Sequence, residues 1–266
     1  MRSTGHCAIV IEETIGGDTR DGQLVRMPIL ISPDLLVNQL KRDSIHIANS
    51  FDAVAGDDVK EMSQLLAGSS AIILGGLGIQ GRKDKQLQSW SGDILVNVAN
   101  SLSAAVYVLR AGYRLIPGVI LRNAVEAMAV CLHGLQRPGD LAQIKSGKFN
   151  APKAINTAKK VIPHFGVLYG FLSEQFTHAG PLHHSIQPLV LYSSRDRDLL
   201  VNLRSIRVSV WFHYVVAEFA FIDLVEKPRY WRLEPPDKLM YAPSETERQW
   251  QKRFLYGSET VHDRSK

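Results

Sequence analysis

From Asp93 to Glu226 apolar residues recur at helical spacing, and the interruptions fall where helix chemistry places them. The spacing predicts helices over roughly 93–114, 117–135, 151–160, 163–178 and 195–226. Pro117, Pro152 and Pro163 stand at helix starts, where a missing N–H costs nothing, while Gly134 and Gly180 fall just past helix ends. Such a run of short-looped helices allows one architecture readily, a mainly α helical bundle. The expected organisation is a bundle core over 93–227, a less regular N-terminal region over 1–92 packed on it, and a C-terminal arm over 228–266.

The N-terminal region offers two short strand candidates, Ala8 to Ile11 and Val25 to Ile31, separated by Gly16, Gly17 and Gly22. Ser32-Pro33-Asp34 then forms a helix start, because Ser can cap free amides and Asp complements the dipole. Leu36, Leu40, Ile47, Phe51 and Val54 follow at helical spacing, and a second helix is expected from about Asp58 to Ala67, stopped by Gly68. Residues 68–92 read as a Gly-rich, charged loop. In the last long helix Ser193 or Ser194 is the expected cap, with Asp196 and Asp198 in the first turn. The arm mixes six aromatic residues with eight Lys or Arg and six Asp or Glu. That mixture suits packing against the domain or a second subunit.

Composition removes several function classes. With 45% hydrophobic residues the chain can fill a sizeable core, and a net charge of +5 is too small for a nucleic-acid footprint unless the cations cluster. Two cysteines, Cys7 and Cys131, rule out a disulfide scaffold. Cys7 to Ile11 is too short an apolar run for a signal peptide. Val208 to Val225 is the most membrane-like stretch, but it holds His213, Glu218 and Asp223 and follows Arg204 and Arg207. Charges at those positions favour a buried core helix over a membrane span. A cytoplasmic protein with no membrane contact and no cofactor is the expectation.

Gly76, Gly78 and Gly81 match the GxGxxG dinucleotide pattern after Ala71-Ile72-Ile73-Leu74. That chemistry also needs a helix starting at the last glycine and an acid about 20 residues on. Arg82-Lys83-Asp84-Lys85 and the Asn100-Ser101 region provide neither, so the glycines read as a loop.

Arg122 and Glu126 lie four apart on the helix beginning at Pro117, with His133 on the same face. Two charges on so apolar a helix either pair across to a neighbouring helix or present the Arg fork to an anion, with Glu126 orienting it. Tyr169, Ser173 and Thr177 share one face of a later helix, and His178 falls at its end, where the dipole favours an imidazolium. His178, His183 and His184 invite a metal reading. Against it, adjacent His183 and His184 point poorly at one ion with His178, and only Glu174 is near to add a carboxylate.

The pair Arg-x-x-x-Glu (Arg122, Glu126) followed by Tyr-x-x-Leu-Ser-x(4)-His (Tyr169, Leu172, Ser173, His178) resembles a widespread group of uncharacterised bacterial helical proteins related to HEPN-like bundles. The resemblance covers roughly residues 93–225. It implies binding of RNA or a nucleotide in a defence or stress role, through Arg122, Glu126, Ser173 and His178, with a homodimer as the working form. HEPN ribonucleases carry Arg-x(4–6)-His, and Arg207 to His213 is the formal match here. It departs from the pattern because Val208 replaces the usual polar residue, and six helical residues leave Arg207 and His213 about 120° apart. Arg207 aligns instead with Arg204, Trp211, Tyr214 and Glu218. Two other function classes stay open: a non-enzymatic module that assembles with itself or a partner, and a metal-dependent enzyme using the three histidines.

Overall fold

The computed structural model describes residues 34–78, 86–177, 181–184, 189–235 and 238–256. The strand candidates near the N-terminus, Cys7, Gly81, His178 and Gly180 lie outside the described residues. The chain divides into two units, 1–46 and 47–266. In the first, helix α1 (Leu35–Asn38) follows Asp34 and runs through a π turn, Gln39–Asp43, into the start of α2 (Ser44–Gly78). Leu35, Leu36, Val37 and Leu40 are exposed on it.

The second unit is a mainly α bundle. After α2 come α3 (Gln86–Arg110), α4 (Ile116–Gln136), α5 (Leu141–Lys145), α6 (Ala151–Val161), α7 (His164–Leu172), α8 (Arg197–Ala220) and α9 (Glu245–Tyr256), with a hairpin of β1 (Trp231–Glu234) and β2 (Lys238–Tyr241) before α9. α3 and α4 pack extensively against each other. Gly112 between them adopts φ +95°, and the amides of Gly112 and Tyr113 return to the carbonyls of Leu109 and Val108. That double bond closes the last turn of α3 and reverses the chain. Both α3 and α4 are long and apolar enough to cross a membrane by length and composition alone. Core helices pass the same test; Asp93, Asn97, Asn100 and Ser103 line the exposed side of α3.

α8 is buried nearly all round, as its apolar second half requires. Its cap is Asp196, which accepts from Leu199 N at 2.9 Å, and not Ser193 or Ser194. A carboxylate meets the same orphan amide and adds charge complementarity to the dipole. Tyr230, Trp231 and Phe254 of the C-terminal segment are fully buried. Trp231 Nε1 donates to Val215 O at 2.8 Å, and Glu218 accepts from Tyr230 N at 2.9 Å. The arm therefore completes the core of its own chain.

Three expected boundaries move. α2 does not stop at Gly68: it runs on through Gly75 and Gly76 to Gly78, so the first two glycines of the dinucleotide pattern are helical. A Cβ on Gly76 would lie 2.2 Å from the Phe221 ring, so glycine lets that ring approach the helix backbone. α3 begins at Gln86, inside the expected loop, and Gly134 lies within α4, not past its end.

Candidate functional site

α4 and α7 bring together the two motif pairs that the sequence separates by about fifty residues. Arg122 donates from Nη2 to Tyr169 OH at 2.8 Å and from Nε to Ser173 Oγ at 3.2 Å. Its Nη1 lies 3.4 Å from Glu126 Oε2, and Tyr169 OH donates to the same oxygen at 3.3 Å. The guanidinium sits over the Tyr169 ring, 5.0 Å from its centroid. Ser173 reaches Arg122 because it follows Tyr169 by one helical turn, four residues on, and a π turn, Ser173–Thr177, then continues α7.

The cluster is half-buried, with Arg122 and Glu126 side chains 26% and 29% exposed. Partial burial, followed by the Glu126 charge, raises the Tyr169 pKa, so its hydroxyl stays a proton donor at neutral pH. Nε and one Nη2 proton go to Ser173 and Tyr169, and Nη1 faces the Glu126 carboxylate. The arrangement clamps α4 to α7.

His183 is exposed in the 3₁₀ turn Pro181–His184, and His178 lies outside the described residues, so the three-histidine reading has no geometry to report. Among the described residues no group of three His, Cys, Asp or Glu is close enough to hold a metal ion.

Arg207 and His213 do not meet. Arg207, 4% exposed, pairs with Asp58 at 2.8 Å and Glu61 at 2.6 Å and donates to Phe254 O. His213 is fully buried between Ser69 Oγ at 2.7 Å and Leu95 O at 2.9 Å. Burial holds its pKa down at about 4. A neutral ring fits these partners: Nε2–H donates to the Leu95 carbonyl, and Nδ1 faces the Ser69 hydroxyl, whose single proton also has Leu66 O as an acceptor at 2.9 Å. Without solvent access this Ser–His pair has no route to a substrate.

A second concentration of polar groups lies where α4 ends, in a groove of about 940 Å³. Arg137, Lys153, Lys160 and Lys238 line it with Asn150, Asn156 and Thr157, and among the described residues no carboxylate does. Lys153 is held at 3.0 Å by Asp140, which also accepts from His133 Nε2 at 2.9 Å. Those two bonds keep the Asp140 carboxyl below its ordinary range. Arg137, Lys160 and Lys238 have no ion-pair partner among the described residues. Sequence reasoning missed this groove, although Lys153, Thr157 and Lys160 at i, i+4 and i+7 mark one helix face. Arg137 and Lys238 had no such signal, being a hundred residues apart and joined only by the fold.

Arg122 and Arg137 stand about 22 Å apart along the α4 axis, and on that side of the helix Ala129 and His133 between them are fully buried. Compared with known proteins, the chain matches no family model, no curated protein and no solved structure.

Proposed function

We propose that this chain binds the phosphates of RNA or a nucleotide, with the basic groove at the end of α4 as its principal contact. The observation that carries this reading is a groove of about 940 Å³ lined by four cations, of which only Lys153 has an acid partner, Asp140, among the described residues, in a chain whose net charge is only +5. Uncompensated cations side by side repel one another, and an anionic ligand relieves that repulsion. Phe219 and Leu239 supply apolar surface in the same groove for a base to lie against.

The test is fluorescence anisotropy of the full chain with a fluorescein-labelled single-stranded RNA, repeated with ATP as competitor. Three to four phosphate contacts predict a slope of log affinity against log salt of about −2 to −3. Exposed Arg137→Glu with Lys160→Glu should abolish binding without unfolding the chain, while Arg122→Ala, outside the groove, should leave the slope unchanged. No RNA or nucleotide binding at low salt sinks the proposal, as does binding indifferent to the charge reversals.

A second reading, assembly with another copy of this chain, is favoured by an apolar cleft of about 330 Å³ between α7, α8 and α9. Val167, Phe171 and Tyr256 are exposed at its edge. Sedimentation of Val167→Glu beside the parent chain tests it, and a parent that is monomeric at high concentration excludes it.

A further inference from the structure

We propose that Thr157, in the wall of the basic groove, takes a phosphoryl group from a nucleoside triphosphate bound there, with His133 as the base that removes its proton. The inference rests on the phosphate-binding reading of that groove and names its substrate class.

Three side chains from separate elements form one hydrogen-bonded row. His133 stands near the end of α4, Thr157 on α6, and Asp140 in the 3₁₀ turn Pro138–Asp140 that follows α4. His133 Nδ1 lies 2.8 Å from Thr157 Oγ1, and His133 Nε2 lies 2.9 Å from Asp140 Oδ2. An ionised carboxylate only accepts, so the proton of the neutral ring belongs on Nε2 and Nδ1 is left as an acceptor. The Thr157 proton then has two acceptors, Nδ1 at 2.8 Å and Lys153 O at 3.1 Å. The nearer one is a ring nitrogen, which can take the proton outright, as a carbonyl cannot. Nucleophile, base and the group that orients the base are thus in contact.

Their placement separates the roles. Thr157 is half-buried and lines the groove, while His133 is fully buried and packs against the Phe149 ring. A base shut away from solvent acts on a bound molecule only through the hydroxyl it touches. Lys160, three residues on from Thr157, is its neighbour on the surface of α6, and Arg137 and Lys238 line the same space. These three cations have no ion-pair partner among the described residues, and together they match the concentrated charge of a triphosphate.

In the transfer, Thr157 Oγ1 attacks the γ-phosphorus as its proton passes to His133 Nδ1. The Oγ1–P bond forms while the bond from that phosphorus to the β,γ-bridging oxygen breaks. The nucleoside diphosphate leaves with the oxygen and its electron pair, and as an anion it needs no proton. Asp140 faces the resulting imidazolium, and the groove cations offset the charge spread over the phosphoryl oxygens.

Incubating the full chain with magnesium and ATP radiolabelled on its γ-phosphate tests the assignment, with the modified residue located by mass spectrometry. The parent chain should carry label on Thr157, Thr157→Ser should keep it, and Thr157→Val should lose it. If Thr157→Val fails to fold, the mapped position in the parent decides. His133→Gln should label about a hundredfold more slowly, the usual worth of a general base. If His133→Gln fails to fold, Asp140→Asn, whose side chain is 29% exposed, takes its place and should label at least about tenfold more slowly. ATP competition against labelled RNA reads nucleotide binding separately. ATP that displaces RNA yet leaves no label on Thr157 overturns the proposal and leaves the groove reading intact. RNA that binds and is not displaced by ATP does the same, whereas no binding of either overturns both. Labelling of folded His133→Gln or Asp140→Asn at the parent's rate also overturns the proposal.

Discussion

His213 shows how a residue type that suggests chemistry becomes part of the frame. It is fully buried, bonded on both ring nitrogens, and held to a pKa of about 4 by burial. In the unfolded chain its pKa returns to about 6.5, so between those values the unfolded state binds the extra proton. Stability from the neutral ring is complete above pH 6.5 and is lost progressively as pH falls toward 4. The loss is on the order of 3 kcal/mol across that window. Urea unfolding at pH 7 and pH 5 should show it, and His213→Gln should flatten that part of the profile. A parent chain equally stable at both pH values contradicts the buried neutral state. Cys131 is a parallel case: burial pushes its thiol up to about 12, which leaves it a packing residue and not a nucleophile.

At the level of elements, α2 makes the sharpest correction. Gly76 and Gly78 belong to a glycine pattern that resembles a phosphate-binding loop, yet the helix continues through both because it packs against the rest of the bundle. Packing on α2, not intrinsic propensity, keeps these glycines helical. Adjacent glycines then respond oppositely to one change. Gly75→Ala meets nothing within 4 Å, so it should stabilise by about 0.5–1 kcal/mol through helix propensity. Gly76→Ala drives its Cβ into the Phe221 ring and should destabilise by about 1–3 kcal/mol. Thermal melts of the two variants separate a helix from a loop, since a loop would treat them alike. The π turn after α7 is the other element that sequence periodicity did not anticipate. It moves Thr177 out of the 3.6-residue register while leaving Ser173 on Arg122, with Thr177 Oγ1 donating five residues back to Leu172 O.

The whole second unit is organised around α8. The polar stripe noted along it, Arg204, Arg207, Trp211, Tyr214 and Glu218, is where the C-terminal segment and α2 dock. Arg204 lies over Tyr256, Arg207 holds Asp58, Glu61 and Phe254 O, and Glu218 accepts the Tyr230 and Trp231 amides. Burial raises the Glu218 pKa, against the lowering effect of those amides. Removing residues 228–266 would expose this stripe and take Tyr230, Trp231 and Phe254 out of the core. Burying an aromatic side chain contributes about 1.5–3 kcal/mol, and a domain's whole margin is only about 5–15 kcal/mol. A chain ending at Lys227 should therefore lose cooperative unfolding and its near-UV circular dichroism. A truncated chain that melts cooperatively would show that the segment is a dispensable arm.

Much of the architecture was legible in the sequence because helix formation is local. Periodicity and proline placement reproduced α4 and α6 within a few residues, and α7 once its π turn is counted, but overran the end of α8 by six residues; the burial of α8 followed from its apolar circumference. The meeting of Arg122 and Glu126 with Tyr169 and Ser173 was readable as a location, since charged groups on apolar helices need partners. Tertiary structure decided the rest. Whether Gly76 bends or stays helical depends on Phe221, and whether Arg207 is reactive or paired depends on Asp58, residues too distant in sequence for local chemistry to weigh. The basic groove depends on the same kind of juxtaposition, because Arg137 and Lys238 become one electrostatic surface only when the hairpin folds back over the end of α4.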